Sequence, residues 1–179
     1  NFIHDGQRGG ASYEIEIANG GLATVLGNVL GQGADSQNPV VLAYGTEGRS
    51  WDKNTLYVAH NTFIHYGWLP GWFMRVIRKN LPDSTEVYAI NNLTVGPGLF
   101  WLGASGHFDG NRQATLGMLR DADTYAFELP PGSMWRSSGV DPRKVGGRDL
   151  SPKAEFKWPV GTEALTAGRE QWAPGAFQR

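Results

Sequence analysis

Apolar and polar positions recur in the same order four times along the first half of the chain, each time around an asparagine. Aligned on Asn1, Asn28, Asn61 and Asn92, the units are separated by 28 − 1 = 27, 61 − 28 = 33 and 92 − 61 = 31 residues. The positions five and three residues before the asparagine, and two after it, hold Ala23, Val25, Leu56, Val58, Val87, Ala89, Ile3, Leu30, Phe63 and Thr94. All but the threonine are apolar, and strand alternation places them on one face. They are therefore predicted to face a core.

Each unit also contains a third short strand, which apolar–polar alternation predicts at residues 13–17 and largely apolar runs predict at 39–44 and 72–77. Three strands per unit and a period of roughly 30 residues are typical of a parallel β-solenoid, in which a coil buries its inner face only against its neighbours. We therefore predict an all-β solenoid of about four coils. Its fixed corner lies at the asparagine, and its variable turn lies at residues 18–21, 45–54 and 78–86.

The recurring asparagine has two physical explanations. Asparagine tolerates the left-handed backbone that a sharp corner between strands requires. When coils stack, its side-chain amide can also hydrogen-bond the amides above and below it, as asparagine ladders do in stacked sheets. Asn1, Asn28, Asn61 and Asn92 are therefore predicted to form a structural asparagine ladder.

These corners resemble those of a known family. The segments are Gly27-Asn28-Val-Leu, His60-Asn61-Thr-Phe and Asn91-Asn92-Leu-Thr. They are similar to the coils of right-handed parallel β-helix proteins of the pectate-lyase-like superfamily. The resemblance covers residues 1–120 and implies a right-handed parallel β-helix.

The second half of the chain loses the period. Residues 99–102 and 110–116 are interpreted as one more strand and a degenerate corner. Residues 125–133 and 174–178 resemble the closing segments of bacterial β-helix proteins, in which an irregular tail wraps the last coil. A cap suits an open solenoid end, because such an end exposes apolar surface and unpaired edge groups. We therefore expect coils over residues 1–120 and an irregular C-terminal capping segment of the same domain over residues 121–179.

The chain begins inside a coil. Asn1 is itself a corner residue, and Ile3 and Ile15 have no neighbouring coil on that side. We therefore expect the chain to be the C-terminal part of a longer protein. Its missing N-terminal coils, or another chain, would stack on the first coil.

Composition excludes several classes of partner. The 179 residues have a formal net charge of −1 and no cysteine. Neither a basic field for nucleic acid nor a thiolate metal site is therefore expected. No apolar run is long enough to span a bilayer. No metal site and no definite cofactor are predicted. Calcium is the one candidate ion, because Glu14 and Glu16 would share a strand face, although ordinary solvated strands look the same.

The variable turns are the better place for a binding site, because function concentrates on loops carried by a rigid scaffold. The longest turn contributes Glu47, Arg49, Trp51, Asp52 and Lys53, and the next one contributes Arg78, Lys79 and Asp83. The two turns are predicted to lie side by side. Their cations would neutralise the carboxylate of a uronate sugar, and the indole would stack on its ring. Solvent-exposed loops carry such residues by default, so that alternative stays open.

The resemblance to pectate-lyase-like proteins implies polysaccharide chemistry, since many members are lyases, hydrolases or epimerases. A lyase needs a base for the proton next to a carboxylate, and Arg75, Arg78 and Lys79 are the candidates for that catalytic role. Tyr57 and Tyr88 are predicted to stack on the sheet surface or, alternatively, to line a sugar groove. No acidic cluster matches the calcium site of pectate lyases, and no adjacent Asp-Asp pair matches the polygalacturonase-type hydrolases.

Two functions remain open. The first is the C-terminal part of a secreted or periplasmic carbohydrate-active protein, a lyase or hydrolase that acts on or binds an acidic polysaccharide. The second is a non-catalytic β-helix that binds polysaccharide or serves as a structural or adhesive module. The four histidines do not show metal-binding spacing, and His60 is expected to be an exposed corner residue.

Overall fold

The structure is a computed structural model that describes residues 1–103 and 105–179. Its strands are β1 (Phe2–His4), β2 (Ile15–Ile17), β3 (Leu22–Leu26), β4 (Val29–Gln32), β5 (Val40–Tyr44), β6 (Thr55–Ala59), β7 (Thr62–His65), β8 (Gly71–Val76), β9 (Glu86–Ile90), β10 (Leu93–Val95), β11 (Gly98–Leu102), β12 (His107–Asp109), β13 (Arg112–Ala114), β14 (Ala154–Phe156) and β15 (Thr162–Ala164). Short 3-10 helices span Arg78–Asn80, Leu116–Met118, Ala122–Thr124 and Met134–Ser137. Among the described residues, no helix is long and apolar enough to cross a membrane.

Strands β1 to β13 stack into three parallel sheets. Sheet A has the order β1-β4-β7-β10-β13, sheet B β2-β5-β8-β11 and sheet C β3-β6-β9-β12. The chain visits A, B and C in turn and returns to A across an asparagine corner, which makes a parallel β-solenoid of about three turns. The corners from Asn1 to Asn92 are 27, 33 and 31 residues apart, and a short step of 19 residues leads to Asn111. The all-β parallel β-helix prediction is confirmed. The right-handed sense and the count of about four coils stay predictions.

The residues predicted to face inward form the core. One cluster contains Val25, Leu30, Leu56, Val58, Phe63, Val87 and Ala89. Successive coils keep these residues in register, since Leu56 pairs with Val87 and Val58 with Ala89. Thr94, the one polar member of the set, is 1 % exposed, and its hydroxyl lies 3.4 Å from the Arg112 carbonyl oxygen. Burying each large apolar side chain contributes about 1.5–3 kcal/mol, so this periodic set is the main source of stability.

The asparagine ladder is present and gains a fifth rung. The Nδ2 of each rung donates to the Oδ1 of the next, from Asn1 to Asn28 (2.8 Å), to Asn61 (3.0 Å), to Asn92 (3.0 Å) and to Asn111 (2.9 Å). Each accepting Oδ1 also receives the backbone nitrogen of the rung before it. From Asn28 onward, the second amide hydrogen goes to a carbonyl of sheet C. The predicted degenerate corner at residue 111 is therefore a full member of the ladder.

The left-handed backbone lies one residue before the ladder. Gly27, His60, Asn91 and Gly110 have φ angles of 68°, 51°, 54° and 65°, whereas no ladder asparagine has a positive φ. The prediction that the ladder asparagine itself supplies the left-handed corner is wrong. Glycine and asparagine suit the preceding position for steric reasons. The ladder position is thus determined by hydrogen bonding alone.

The tail covers the outer face of sheet A. A second apolar cluster joins Val29, Ile64, Leu93, Val95 and Ala114 of that sheet to Leu119, Phe127, Leu129 and Ala176 of the tail. At the far end, the rings of Phe2 and Phe127 are stacked with centroids 6.0 Å apart. The tail therefore runs back along the solenoid to the first coil, whereas the sequence suggested contact with the last coil.

Another part of the tail covers the outer face of sheet C. Leu150 packs in a third apolar cluster with residues of β6 and β9. Arg148 Nη1 donates to Thr24 Oγ1 (3.2 Å) in the first coil. Asn91 Nδ2 donates to Val140 O (2.8 Å) near the other end. Two of the three solenoid faces are thus covered by residues 116–177.

Candidate functional site

The two long variable turns lie side by side, as predicted. Asn80 Nδ2 donates to the carbonyl oxygens of Gly45 (2.8 Å) and Thr46 (3.0 Å), so the later turn is bonded directly to the earlier one. At the end of both turns, Glu86 N–H donates to Asn54 O (3.1 Å). The chain therefore presents one continuous loop surface at the corner between sheets B and C.

The residues proposed for sugar binding on this loop surface are open to solvent. They are Glu47, Arg49, Trp51, Asp52 and Lys53. Trp51 is 62 % exposed, and its indole packs on Gly21, where an added Cβ would lie 2.7 Å from the ring. None of these residues lines the cleft described below. Their substrate-binding role stays a prediction.

The three candidate catalytic residues divide between a strand and a turn. Arg75 is exposed on β8, where it pairs with Ala43 of β5. Lys79 is exposed in the turn, and Arg78 is half-buried with Nη2 4.0 Å from the Asp83 carboxylate. Arg78 Nη1 is buried and has no hydrogen-bond partner within the described residues. The catalytic role of these residues stays a prediction.

Tyr57 and Tyr88 form a stacked column with His107 on the outer face of sheet C. The ring centroids are 5.0 and 4.8 Å apart, with interplanar angles of 9°. The Arg148 guanidinium lies 5.1 Å from the Tyr57 ring centroid, and the Tyr57 hydroxyl donates to Gly146 O (3.0 Å). The tail leaves the two tyrosines only 5 % and 8 % exposed. The stacking predicted for the two tyrosines is present, and their substrate-binding role stays a prediction.

His60 is not the exposed corner residue that the sequence suggested. It is 0 % exposed and lies under the C-terminal residues. Burial lowers the pKa of His60 to about 4. Burial also lowers the pKa of His4 and of His65. In residues 1–103 and 105–179, no group of three or more histidine and carboxylate side chains is arranged to hold a metal ion.

A cleft of about 600 Å³ opens within the tail. We call it the tail cleft. Its lining includes four aromatic residues (Tyr125, Phe156, Trp158, Phe177), four basic residues (Arg120, Arg136, Lys157, Arg179) and three carboxylates (Glu128, Glu155, Glu163). The volume falls within the range of about 300–1,000 Å³ that is typical of small-molecule sites.

A hairpin forms the aromatic wall of the tail cleft. Strands β14 and β15 pair antiparallel, and Lys157 N–H donates to Gly161 O (3.0 Å) across their turn. Gly161 has a φ of 118°, which favours glycine. The hairpin places the Trp158 ring on Tyr125, with centroids 5.0 Å apart and an interplanar angle of 23°. Trp158 nevertheless remains 49 % exposed, so much of its surface is free to contact a ligand.

Paired charges hold one side of the tail cleft in place. Glu155 is 7 % exposed; its Oε1 lies 3.1 Å from Arg179 Nε, and its Oε2 accepts from Gln178 N–H (2.7 Å). Arg179 also pairs with Glu163, and this ion pair lowers the pKa of the Glu163 carboxyl. The C-terminal residue is therefore anchored by two carboxylates and presents its guanidinium at a defined position.

Two other cations in the tail cleft lack a carboxylate partner. Arg136 Nη1 donates to Leu129 O (2.8 Å). Within the described part of the chain, neither Arg136 nor Lys157 has a carboxylate oxygen within 4.0 Å, whereas Arg120 pairs with Glu128 at 2.5 Å. An incoming anion could satisfy these two cations without breaking an existing ion pair.

Sequence reasoning missed the tail cleft because it assigned residues 121–179 to a cap. A signal was present in Glu155-Phe156-Lys157-Trp158, where charged and aromatic residues alternate. Alternation of this kind predicts a strand with a charged face and an aromatic face. The partners of that strand come from distant positions such as Tyr125 and Arg179, which no local pattern joins.

No family model, no curated protein and no solved structure matches the chain.

Proposed function

We propose that this protein is a carbohydrate-active β-solenoid that binds an acidic polysaccharide, with one part of the polymer held in the tail cleft. The observation that carries the proposal is one cleft of about 600 Å³ whose lining combines the half-exposed Trp158 with two cations without carboxylate partners, Arg136 and Lys157. The resemblance of the corners to pectate-lyase-like proteins supports the same class of ligand. It also supports a secreted or periplasmic location.

The chemistry of the tail cleft favours an acidic sugar over a neutral one. Aromatic rings stack on the apolar face of a sugar ring, and guanidinium and ammonium groups bind its carboxylate through charge-assisted hydrogen bonds. The lining has four basic and three acidic side chains, a surplus of 4 − 3 = 1 positive charge. A neutral sugar cannot form such charge-assisted hydrogen bonds with these cations.

Calorimetric titration of the full chain with a galacturonate oligomer tests the proposal, with a neutral oligomer of equal length for comparison. Trp158→Ala and Arg136→Ala should each weaken binding roughly 5- to 30-fold, because such contacts contribute about 1–2 kcal/mol. Trp68→Ala is the matched control, since it removes an indole that is 84 % exposed and does not line the tail cleft. Equal affinity for the acidic and neutral oligomers would contradict the proposal. So would a loss of binding in Trp68→Ala alone.

A second candidate function is lyase or hydrolase activity at the loop surface. The observation in its favour is Arg78, whose buried Nη1 lacks a partner within the described residues, near the exposed Lys79. An arginine held in this way could act on the proton next to a uronate carboxylate. Incubation with alginate, pectate and glycosaminoglycans would give an ultraviolet-absorbing unsaturated product if the protein is a lyase. Arg75→Ala and Arg78→Ala should abolish that product, and retention of activity in both would exclude this site.

A further inference from the structure

His60 connects a solenoid corner to the C-terminal tail. Its Nε2 lies 3.2 Å from Asn91 Nδ2, and its Nδ1 lies 3.1 Å from Gln178 Nε2. The His60 and Trp172 ring centroids are 5.5 Å apart. The fully buried side chain of His60 therefore contacts two tail residues, Trp172 and Gln178, and also Asn91 at the next corner of the solenoid.

The two amides beside His60 have determined orientations. Asn91 Nδ2 donates to Val140 O (2.8 Å) and Asn91 Oδ1 accepts from Val140 N–H (2.8 Å). Gln178 Oε1 accepts from Ala173 N–H (3.1 Å) and Gln178 Nε2 donates to Ala173 O (3.0 Å). Gln178 Nε2 also donates to Gly175 O (2.9 Å), so reversing the Asn91 amide would break two hydrogen bonds and reversing the Gln178 amide would break three. Both ring nitrogens of His60 therefore lie beside amide nitrogens, and only the Asn91 amide has a hydrogen left to donate to the ring.

Only the neutral imidazole fits between these amides. His60 Nε2 accepts from Asn91 Nδ2, so the single hydrogen of the neutral ring lies on Nδ1. Protonation would place a new hydrogen on Nε2, opposite the Asn91 amide hydrogen. Burial is the main cause that lowers the pKa of this ring; a hydrogen bond with the Ala173 backbone opposes the shift, and the charge of Arg169 adds to it.

The same tail residue reaches the tail cleft. Gln178 N–H donates to Glu155 Oε2, and the other oxygen of Glu155 holds Arg179. Glu155, Arg179 and Glu163 line the tail cleft. A displacement of Gln178 from His60 would therefore disturb the charged wall that shapes the site.

We propose that His60 is a proton-sensitive latch, whose protonation releases residues 172–179 from the solenoid and lowers the affinity of the tail cleft for an acidic ligand. The predicted change in ligand affinity rests on the proposed function, whereas the predicted release of the tail does not. The latch would make the tail cleft bind an acidic ligand strongly near neutral pH and weakly in acid.

The other ionisable groups around the latch are few. Arg169 donates to Gln178 O. Glu155 and Arg179 lie beyond Gln178. Asp141, next to Val140, is exposed and paired with Arg143. On the solenoid side, Asn91 faces the ring, and its backbone N–H donates to the main-chain oxygen of Asp109. The acid response therefore has to be separated from titration of the nearby carboxylates by substitution of His60 itself.

Hydrogen exchange of residues 172–179 in the full chain, corrected for intrinsic rates, measures the latch directly. With a pKa of 6.5 when open and about 4 when closed, the opening equilibrium should rise roughly 70-fold between about pH 7.5 and about pH 4.5. His60→Asn removes the titrating group, and asparagine tolerates the positive φ, as Asn91 does at the next corner. Its exchange should respond little to pH. His107→Asn is the matched control and should keep the wild-type response.

Binding of a galacturonate trimer at the same two pH values completes the test, since a uronate carboxylate is still mostly ionised at about pH 4.5. Wild type should lose affinity in acid, and His60→Asn should keep it. If hydrogen exchange of residues 172–179 does not depend on pH in wild type, or depends on pH equally in His60→Asn, the latch proposal is overturned. Unchanged affinity despite tail opening would overturn its coupling to the cleft. Tail opening without binding at either pH would refute the proposed function and leave the latch standing.

Discussion

Removing one ladder rung should destabilise the solenoid far more in its middle than at its end. Asn61 is 0 % exposed, and its side chain takes part in four hydrogen bonds. Oδ1 accepts from the backbone nitrogen and from Nδ2 of Asn28 (both 3.0 Å). Nδ2 donates to Asn92 Oδ1 (3.0 Å) and to Val25 O (2.8 Å). Because Asn61 does not have a positive φ, alanine there adds no backbone strain.

The expected cost follows from the groups that Asn61→Ala leaves behind. The Asn28 backbone N–H and the Val25 carbonyl lose these side-chain partners in a region closed to water. A buried polar group without a partner costs about 1–3 kcal/mol, so the free energy of unfolding should fall by about 3–5 kcal/mol. Asn1→Ala removes one bond from its exposed side chain to Asn28 Oδ1 and should cost at most about 1 kcal/mol.

Urea unfolding followed by circular dichroism measures both variants, with unchanged m-values as the condition for comparing them. The difference between Asn61→Ala and Asn1→Ala should be about 2 kcal/mol or more. A smaller difference would mean that strand pairing alone holds the corners. The hydrogen-bond argument for the ladder would then fail.

Three further predictions concern the tail, the core and alkaline pH. Gly175→Ala should lower the free energy of unfolding by about 2 kcal/mol, because Gly175 has a φ of 94° and an added Cβ would lie 2.8 Å from Thr62 Oγ1; an unchanged thermal midpoint would show that the tail is free to shift. Phe63→Ala should cost about 3–5 kcal/mol in urea unfolding because it empties a fully buried position; a cost like that of a surface substitution would contradict the assignment of Phe63 to the core. Burial raises the pKa of Tyr66 to about 12, so folding favours the neutral phenol, and stability should fall as pH rises above 10.0 and continue to fall towards 12. Tyr66→Phe should reduce that loss and change stability little at neutral pH, since the hydroxyl has no partner within the described residues; identical alkaline profiles of the two proteins would refute this.

The solenoid could be predicted because its determinants are local and repeated. Leu56 and Val58, and one coil later Val87 and Ala89, stand at the same offsets from a ladder asparagine, and strand alternation converts those offsets into one buried face. The last step to Asn111 keeps the ladder asparagine, but the exposed Gln113 takes the apolar position two residues after it. The position of the left-handed residue could not be predicted in the same way, because either residue of a pair such as Asn91-Asn92 can adopt a positive φ on steric grounds.

The tail and everything built on it depend on contacts that no period encodes. His60 has the sequence context of a corner residue and becomes the least exposed of the four histidines only because Trp172 and Gln178 cover it. Tyr57 and Tyr88 lie in register by strand pairing, but their burial comes from residues 140–150. The tail cleft likewise joins Tyr125 to Trp158 and Glu155 to Arg179.

The amino-acid sequence by itself determined the coil, its core and the ladder. Stacked repeats interact mainly with their nearest neighbours, so every coil has the same packing and hydrogen-bonding requirements and one repeat reveals them. Only the tertiary structure decided which faces are covered, which histidine is buried and where a cleft forms. Those outcomes arise from single contacts between distant segments, such as the contact between His60 and Gln178, which lie 118 residues apart. No repeated pattern in the sequence predicts such contacts.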